Sequence, residues 1–189
     1  VGQFEYLLMF AAVILALAVG DVTVSLNRLL QAGTKVKWDR LAPMAAAVAF
    51  LKIVTQWWGW YSAEPLAAGI TFGMFVGVLS GAVLLFLMAA TTLPDGIEEA
   101  GVDLRKYYEE VHRRFWLLFA AHWVVATGVT IWIEVAVEGE RFGLNTPVYL
   151  IVPVAVGLAF WWNRWVHTVG LAGFLLLYLG DSFGRVLGH

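Results

Sequence analysis

A chain of 189 residues that is 61% hydrophobic and only 14% charged, with a mean hydropathy of +0.78, excludes an ordinary soluble domain, since such domains carry roughly a quarter of charged residues. A net charge of −2 offers no basic field, so no nucleic-acid partner is expected. The lack of cysteine excludes disulfides, thiolate metal sites and cysteine nucleophiles.

These bounds point to an all-α integral membrane protein whose first partner is the lipid bilayer. A span takes about 20 apolar residues. Six segments qualify, near 4–30, 42–61, 66–93, 115–137, 146–162 and 164–183, which predicts a bundle of about six transmembrane helices in one domain over 1–189. The fifth is short and its junction with the sixth at Asn163-Arg164 is tight, so five spans with one broken helix is the alternative.

The first segment lacks a basic leading region and is read as a span rather than a signal peptide. It becomes amphipathic at Asp21. Asp21, Ser25 and Arg28 lie at i, i+4 and i+7 and share a face, whereas Asn27 points elsewhere. The second segment carries Lys52 near its middle. A charge at that depth is costly and raises a functional hypothesis by default. Asp21 and Lys52 lie at similar distances from the first turn, so a helical hairpin would let them meet as an ion pair. A structural pair and a lysine snorkelling to the interface are the bland alternatives. Gln56, one turn above Lys52, extends the polar stripe.

In the third segment Gly69, Gly73, Gly77 and Gly81 recur every fourth residue, a glycine-zipper pattern on one helix face. A groove without side chains lets another helix approach closely. This predicts the third span as the central packing helix, with a homo-oligomer contact through the glycine face. The segment stops at Thr91-Thr92-Leu93-Pro94-Asp95-Gly96. The charged stretch that follows predicts an interfacial amphipathic helix near 98–114, with Asp103 as its N-cap and His112 solvated.

The fourth span carries His122 and the sixth opens with His167. Two histidines on neighbouring helices at similar depth are the kind of pair that ligates a b-type haem. Hydrogen-bonded packing is the commoner role, so no cofactor is expected, with haem b as the alternative, and no metal site is read.

Lysine and arginine concentrate in the first, third and fifth loops, which places those loops in the cytoplasm and both termini outside. Spans one to three then begin outside and four to six inside, as in two inverted three-helix units. Trp57-Trp58 and Trp161-Trp162 echo each other at equivalent places, although interfacial aromatic belts would put tryptophan there without ancestry.

No G-x-S-x-G, H-E-x-x-H, P-loop or G-x-G-x-x-G occurs, so an enzyme is not expected. Three functional readings follow. The favoured one is a channel or small-solute transporter with a polar path past Asp21, Ser25, Arg28, Lys52 and Gln56. The alternative is a non-transporting membrane subunit or scaffold that binds partner proteins through the glycine face and the 98–114 helix. The third is a haem-binding redox protein using His122 and His167.

Short motifs run through most of the chain: Asn27-Arg28-Leu29, Lys37-Trp38-Asp39, Gln56-Trp57-Trp58, Pro94-Asp95, Asp103-Leu104-Arg105, and Tyr107-Tyr108 before Arg113-Arg114. In these the chain resembles an uncharacterised group of small bacterial multi-pass membrane proteins. The resemblance implies a polytopic protein of the bacterial inner (plasma) membrane and carries no activity with it.

Overall fold

The computed structural model describes residues 2–61, 71–136 and 148–186. Among these the regular elements are helices, one 3-10 turn and two short strands. In order they are α1 (Gln3–Ala32), the 3-10 turn (Gly33–Lys35), β1 (Val36–Lys37), α2 (Leu41–Tyr61), α3 (Phe72–Ala90), β2 (Val102–Asp103), α4 (Leu104–Ala136), α5 (Val148–Phe160) and α6 (Arg164–Val186). Four stretches have the length and hydropathy to cross a membrane: Gln3–Lys35, Leu41–Trp60, Phe72–Ala90 and Leu104–Trp132. The sequence predicts six such crossings. The difference among the described residues comes partly from α5, whose 13 residues run only about 20 Å against a hydrocarbon core of about 30 Å. The outer surface suits acyl chains, with Phe10, Leu17, Phe72, Trp165 and Leu176 all exposed.

The core forms where the helices present small or aromatic side chains inward. Ala42, Ala45, Ala46 and Ala49 of α2 are buried, and this smooth face lets α2 lie against α1, α3, α4 and α6. Leu104, Tyr108, Phe115, Trp116 and Phe119 fill the inner face of α4. α3 packs along both α1 and α4, while α2 touches four other helices. The glycine face still has an occupant. A Cβ at Gly77 would lie 2.5 Å from Val129 Cγ2, and one at Gly81 would lie 3.8 Å from His122 Nδ1. At both positions a side chain of α4 lies against the glycine. Among the described residues a Cβ at Gly73 would approach Thr71 of its own segment, and Gly69 lies outside them.

The expected interfacial helix and fourth span are one helix. Asp103 Oδ1 accepts from the Arg105 and Lys106 amides at 3.1 and 3.4 Å, capping the start as predicted. No glycine or proline interrupts the sequence from Leu104 to Thr127, so nothing ends the helix where polar residues give way to apolar ones. α3 ends as its sequence predicts, with the Thr91 and Thr92 hydroxyls each donating 2.7 Å bonds back to the Met88 and Ala89 carbonyls. The break between α5 and α6 is also where it was expected. Asn163 Oδ1 accepts from the Trp165 amide at 2.9 Å and starts α6.

Three loops meet at one end of the bundle. β1 and β2 pair in parallel, Val36 with Val102 and Lys37 with Asp103, joining the first loop to the third. Arg28 Nη1 donates to the Asp95 carbonyl at 2.7 Å. The Asp39 carboxylate and the Arg164 guanidinium form an ion pair that joins the first loop to the α5–α6 junction. The strands were not foreseen, because two residues are too short to show a period. Gly101 makes their pairing feasible: its φ is +89°, and a Cβ there would press on the Lys35 carbonyl oxygen. Gly101→Ala is expected to cost about 1–3 kcal/mol through the forced φ alone. A lowered unfolding midpoint in mixed micelles, with the helix content of α1 to α4 retained, is the result to look for.

The two halves of the chain do not pack alike. α1 lies along α3 more than along α2, whereas its counterpart α4 lies along α5.

Candidate functional site

The inner helices are nearly free of ionisable groups. From 41 to 60 the only titratable side chain is Lys52, from 72 to 90 there is none, and from 115 to 133 there is only His122. The fold brings these two together. Lys52 is 6% exposed, and its Nζ donates to Gln56 Oε1 at 2.8 Å, one turn along α2. The same ammonium sits 4.3 Å from the centre of the Trp123 ring on α4. An ammonium over an indole face gains about 2 kcal/mol or more once water is removed. Both contacts help to hold the charge at that depth.

His122, next to Trp123 in the chain, is 1% exposed and lies within electrostatic reach of Lys52. Its Nδ1 is 3.1 Å from the Gly81 carbonyl oxygen. A carbonyl only accepts, so Nδ1 carries the hydrogen and Nε2 presents a lone pair. That Nε2 is buried and has no hydrogen-bond partner among the described residues, and neither does the buried Thr127 Oγ1, further along α4. Trp123 Nε1 and the Tyr178 hydroxyl of α6 approach each other without a well-formed hydrogen bond. Buried polar atoms left in this state are uncommon.

The stripe predicted from α1 and α2 divides into two places. Lys52 and Gln56 belong to the interior site with α4. Asp21 does not reach Lys52. It is half-buried, and its charged neighbours are Asp95 and Arg28. Ser25 is buried on the α1 face between them, and Arg28 is spent on the turn after α3. The hairpin expectation fails because α2 turns the Lys52 face toward α4, where an indole is available.

The two histidines read as a haem pair have separate neighbours. The His122 ring packs on Trp123, at 6.4 Å between centroids. The His167 ring lies among Tyr108, His112, Trp116 and Trp162. His167 Nε2 is 3.3 Å from the Trp161 carbonyl oxygen, so it carries the hydrogen. His167 Nδ1 then accepts from the Tyr108 hydroxyl at 2.9 Å and from Trp116 Nε1 at 3.3 Å. Both nitrogens are engaged in hydrogen bonds within the chain. Among the described residues no three His, Asp or Glu side chains are grouped as metal ligands.

His112 was expected in water. It is half-buried instead, with its ring 4.7 Å from Trp162 and 5.2 Å from His167, and its Nδ1 donates to the Glu109 carbonyl at 2.8 Å. The signal was present in the sequence: Tyr108, His112 and Trp116 are four apart and share a helix face.

A cavity of about 450 Å³ opens at the looped end, beside the β1–β2 pair. Lys35, Lys37 and Lys106 line it together with Glu98, Asp103 and Glu110, so its walls carry both signs of charge.

Compared with protein-family models, with curated proteins and with solved structures, the chain matches none of them.

Proposed function

We propose that the chain is a membrane channel or small-solute transporter whose path passes Lys52, Gln56 and His122. One observation carries the reading. The only two titratable side chains of the inner stretches of α2, α3 and α4 come from different helices and meet around Trp123, inside the bundle. Ionisable residues within spans face the interior and mark ion or substrate routes. The mixed-charge cavity at the looped end, with Asp21 and Arg28 nearby on α1, would serve as its mouth.

The membrane setting belongs to the same proposal. It keeps six crossings of a bacterial inner membrane, the fifth by the segment near 146–162, to which α5 belongs, and the sixth by the segment near 164–183. The loops that share one end are rich in lysine and arginine, and the positive-inside rule puts that end in the cytoplasm and both termini outside.

Proteoliposome flux of a panel of small polar solutes tests the reading. Wild-type protein is expected to conduct at least one of them, and Lys52→Met to lose most of that flux while its helix content and unfolding midpoint hold. Normal flux in a folded Lys52→Met variant removes the proposal. Absence of flux together with a stoichiometric copurifying protein would favour the membrane-scaffold alternative.

A further inference from the structure

We infer that the cavity at the looped end binds a phosphate ester with an amine on a short arm, the phosphoethanolamine group, independently of any flux past Lys52. A bilayer lipid and a small water-soluble ester both carry this group.

The charges around the cavity are held in place but left unpaired. Lys35 and Lys37 come from the first loop, Glu98 and Asp103 from the third, and Lys106 and Glu110 from the first turns of α4. Among the described residues none of these six side chains is in an ion pair. Asp103 Oδ1 is taken by the Arg105 and Lys106 amides instead. The adjoining positions of α4 behave differently. Arg105 and Glu109, four apart, close at 3.1 Å. Lys106 and Glu110 have the same spacing and order on the same helix, yet both line the open space. The strand pairing sets Lys37 opposite Asp103, so the two loops present their charges as one wall.

The balance of those charges selects the ligand. Three ammoniums accompany three carboxylates, so the lining is neutral as a whole. A free anion gains at the lysines and loses at the acids, whereas a neutral ligand with separated charges gains at both. Three lysines are more donors than the two oxygens of a carboxylate need, and they suit a phosphate, which lysine binds as a point charge. A primary ammonium brings three N–H donors for Glu98 and Glu110, which only accept. The volume of about 450 Å³ lies within the range of about 300–1,000 Å³ usual for small-ligand sites. The setting supplies such a group. Trp38 follows Lys37 directly and is exposed. Trp165, also exposed, lies under the Arg40 guanidinium at 5.2 Å, beside the Asp39–Arg164 ion pair. Tryptophan gathers at headgroup depth, where the phosphate esters of a bilayer lie.

Native mass spectrometry of the whole chain released from detergent, with short-chain lipids added, counts the molecules that stay bound. One phosphatidylethanolamine per chain is expected, retained ahead of phosphatidylglycerol, which lacks the amine, and of phosphatidylcholine, whose amine has no N–H. Lys106→Gln is expected to weaken that binding at least about tenfold, the effect of losing one charge-assisted hydrogen bond. Glu110→Gln is expected to bring phosphatidylethanolamine down to the level of phosphatidylglycerol. Arg105→Gln removes a charge from the same helix outside the cavity lining and is expected to bind as wild type. Displacement of the lipid by glycerophosphoethanolamine supports the group with a soluble ester as its source, and resistance to displacement supports the lipid. Phosphatidylglycerol held as well as phosphatidylethanolamine overturns the inference. So does a Lys106→Gln variant that binds as wild type, or an Arg105→Gln variant that loses as much as Lys106→Gln. The readout is binding without flux, so a chain that moves no solute can still pass it, and failure here leaves the transport reading standing.

Discussion

Truncating Trp116 to alanine is expected to cost about 3–5 kcal/mol, the usual range for emptying a fully buried aromatic site. The ring is 0% exposed and lies edge-on to Phe115 at 5.0 Å and to Phe119 at 5.5 Å, with Phe174 of α6 at 5.7 Å. Its Nε1–H also donates to the Tyr108 hydroxyl at 3.2 Å and to His167 Nδ1 at 3.3 Å. Alanine would remove the packing and the donor together, at the point where α4 meets α6. Trp116→Phe separates the two effects. It keeps most of the apolar contact and loses a hydrogen bond worth about 1 kcal/mol net. Unfolding midpoints in mixed micelles should therefore rank wild type above Trp116→Phe, and Trp116→Phe well above Trp116→Ala. A wild-type midpoint for Trp116→Ala would show that the aromatic cluster does not hold α6 in place.

The second large effect is expected at Gly77. Carbon atoms rest about 3.5–4.0 Å apart, and a Cβ here would be 2.5 Å from Val129 Cγ2. Valine is β-branched and has few rotamers to retreat into on a helix. Gly77→Ala should cost about 1–3 kcal/mol by overpacking, and Gly77→Leu should cost more, because it forces α3 away from α4 along a full turn. The strain is local, so adding Val129→Ala should recover most of the Gly77→Ala loss, and thermal unfolding in detergent measures both. The same separation would pull the Gly81 carbonyl off His122, so flux in Gly77→Leu should fall together with stability. A Gly77→Leu variant as stable as wild type would mean that the α3–α4 contact is loose.

Much of the backbone was legible in the residues, because lipid-compatible helices announce themselves by long apolar runs. Pro94 and Asn163 likewise mark stops that the structure keeps. The unbroken α4 was also readable, since no glycine or proline lies between Leu104 and Thr127, but the change from polar to apolar residues near Phe115 looks like a boundary. The local signals around His112 were visible as spacing and still misled, because burial there depends on Trp162 and His167 arriving from some 50 residues away. The interior site was half legible. A lysine in the middle of a span is conspicuous by itself, but its neighbours follow from which way α2 faces in the bundle. Asp21 and Trp123 are equally plausible partners on paper, and only packing decides between them. Tautomers are beyond sequence reading altogether, since they depend on which carbonyl each ring nitrogen meets.

α4 runs for 33 residues without a break, about 50 Å in length, well beyond the about 30 Å of a hydrocarbon core. Lys106 and Glu110, on the rim of the looped-end cavity, therefore belong to the same stiff rod as Trp123 and His122. A rod of that kind acts as a lever. Anything that settles among those rim charges and tilts their end of the rod must swing the far end as well, and with it the indole on which the Lys52 ammonium rests.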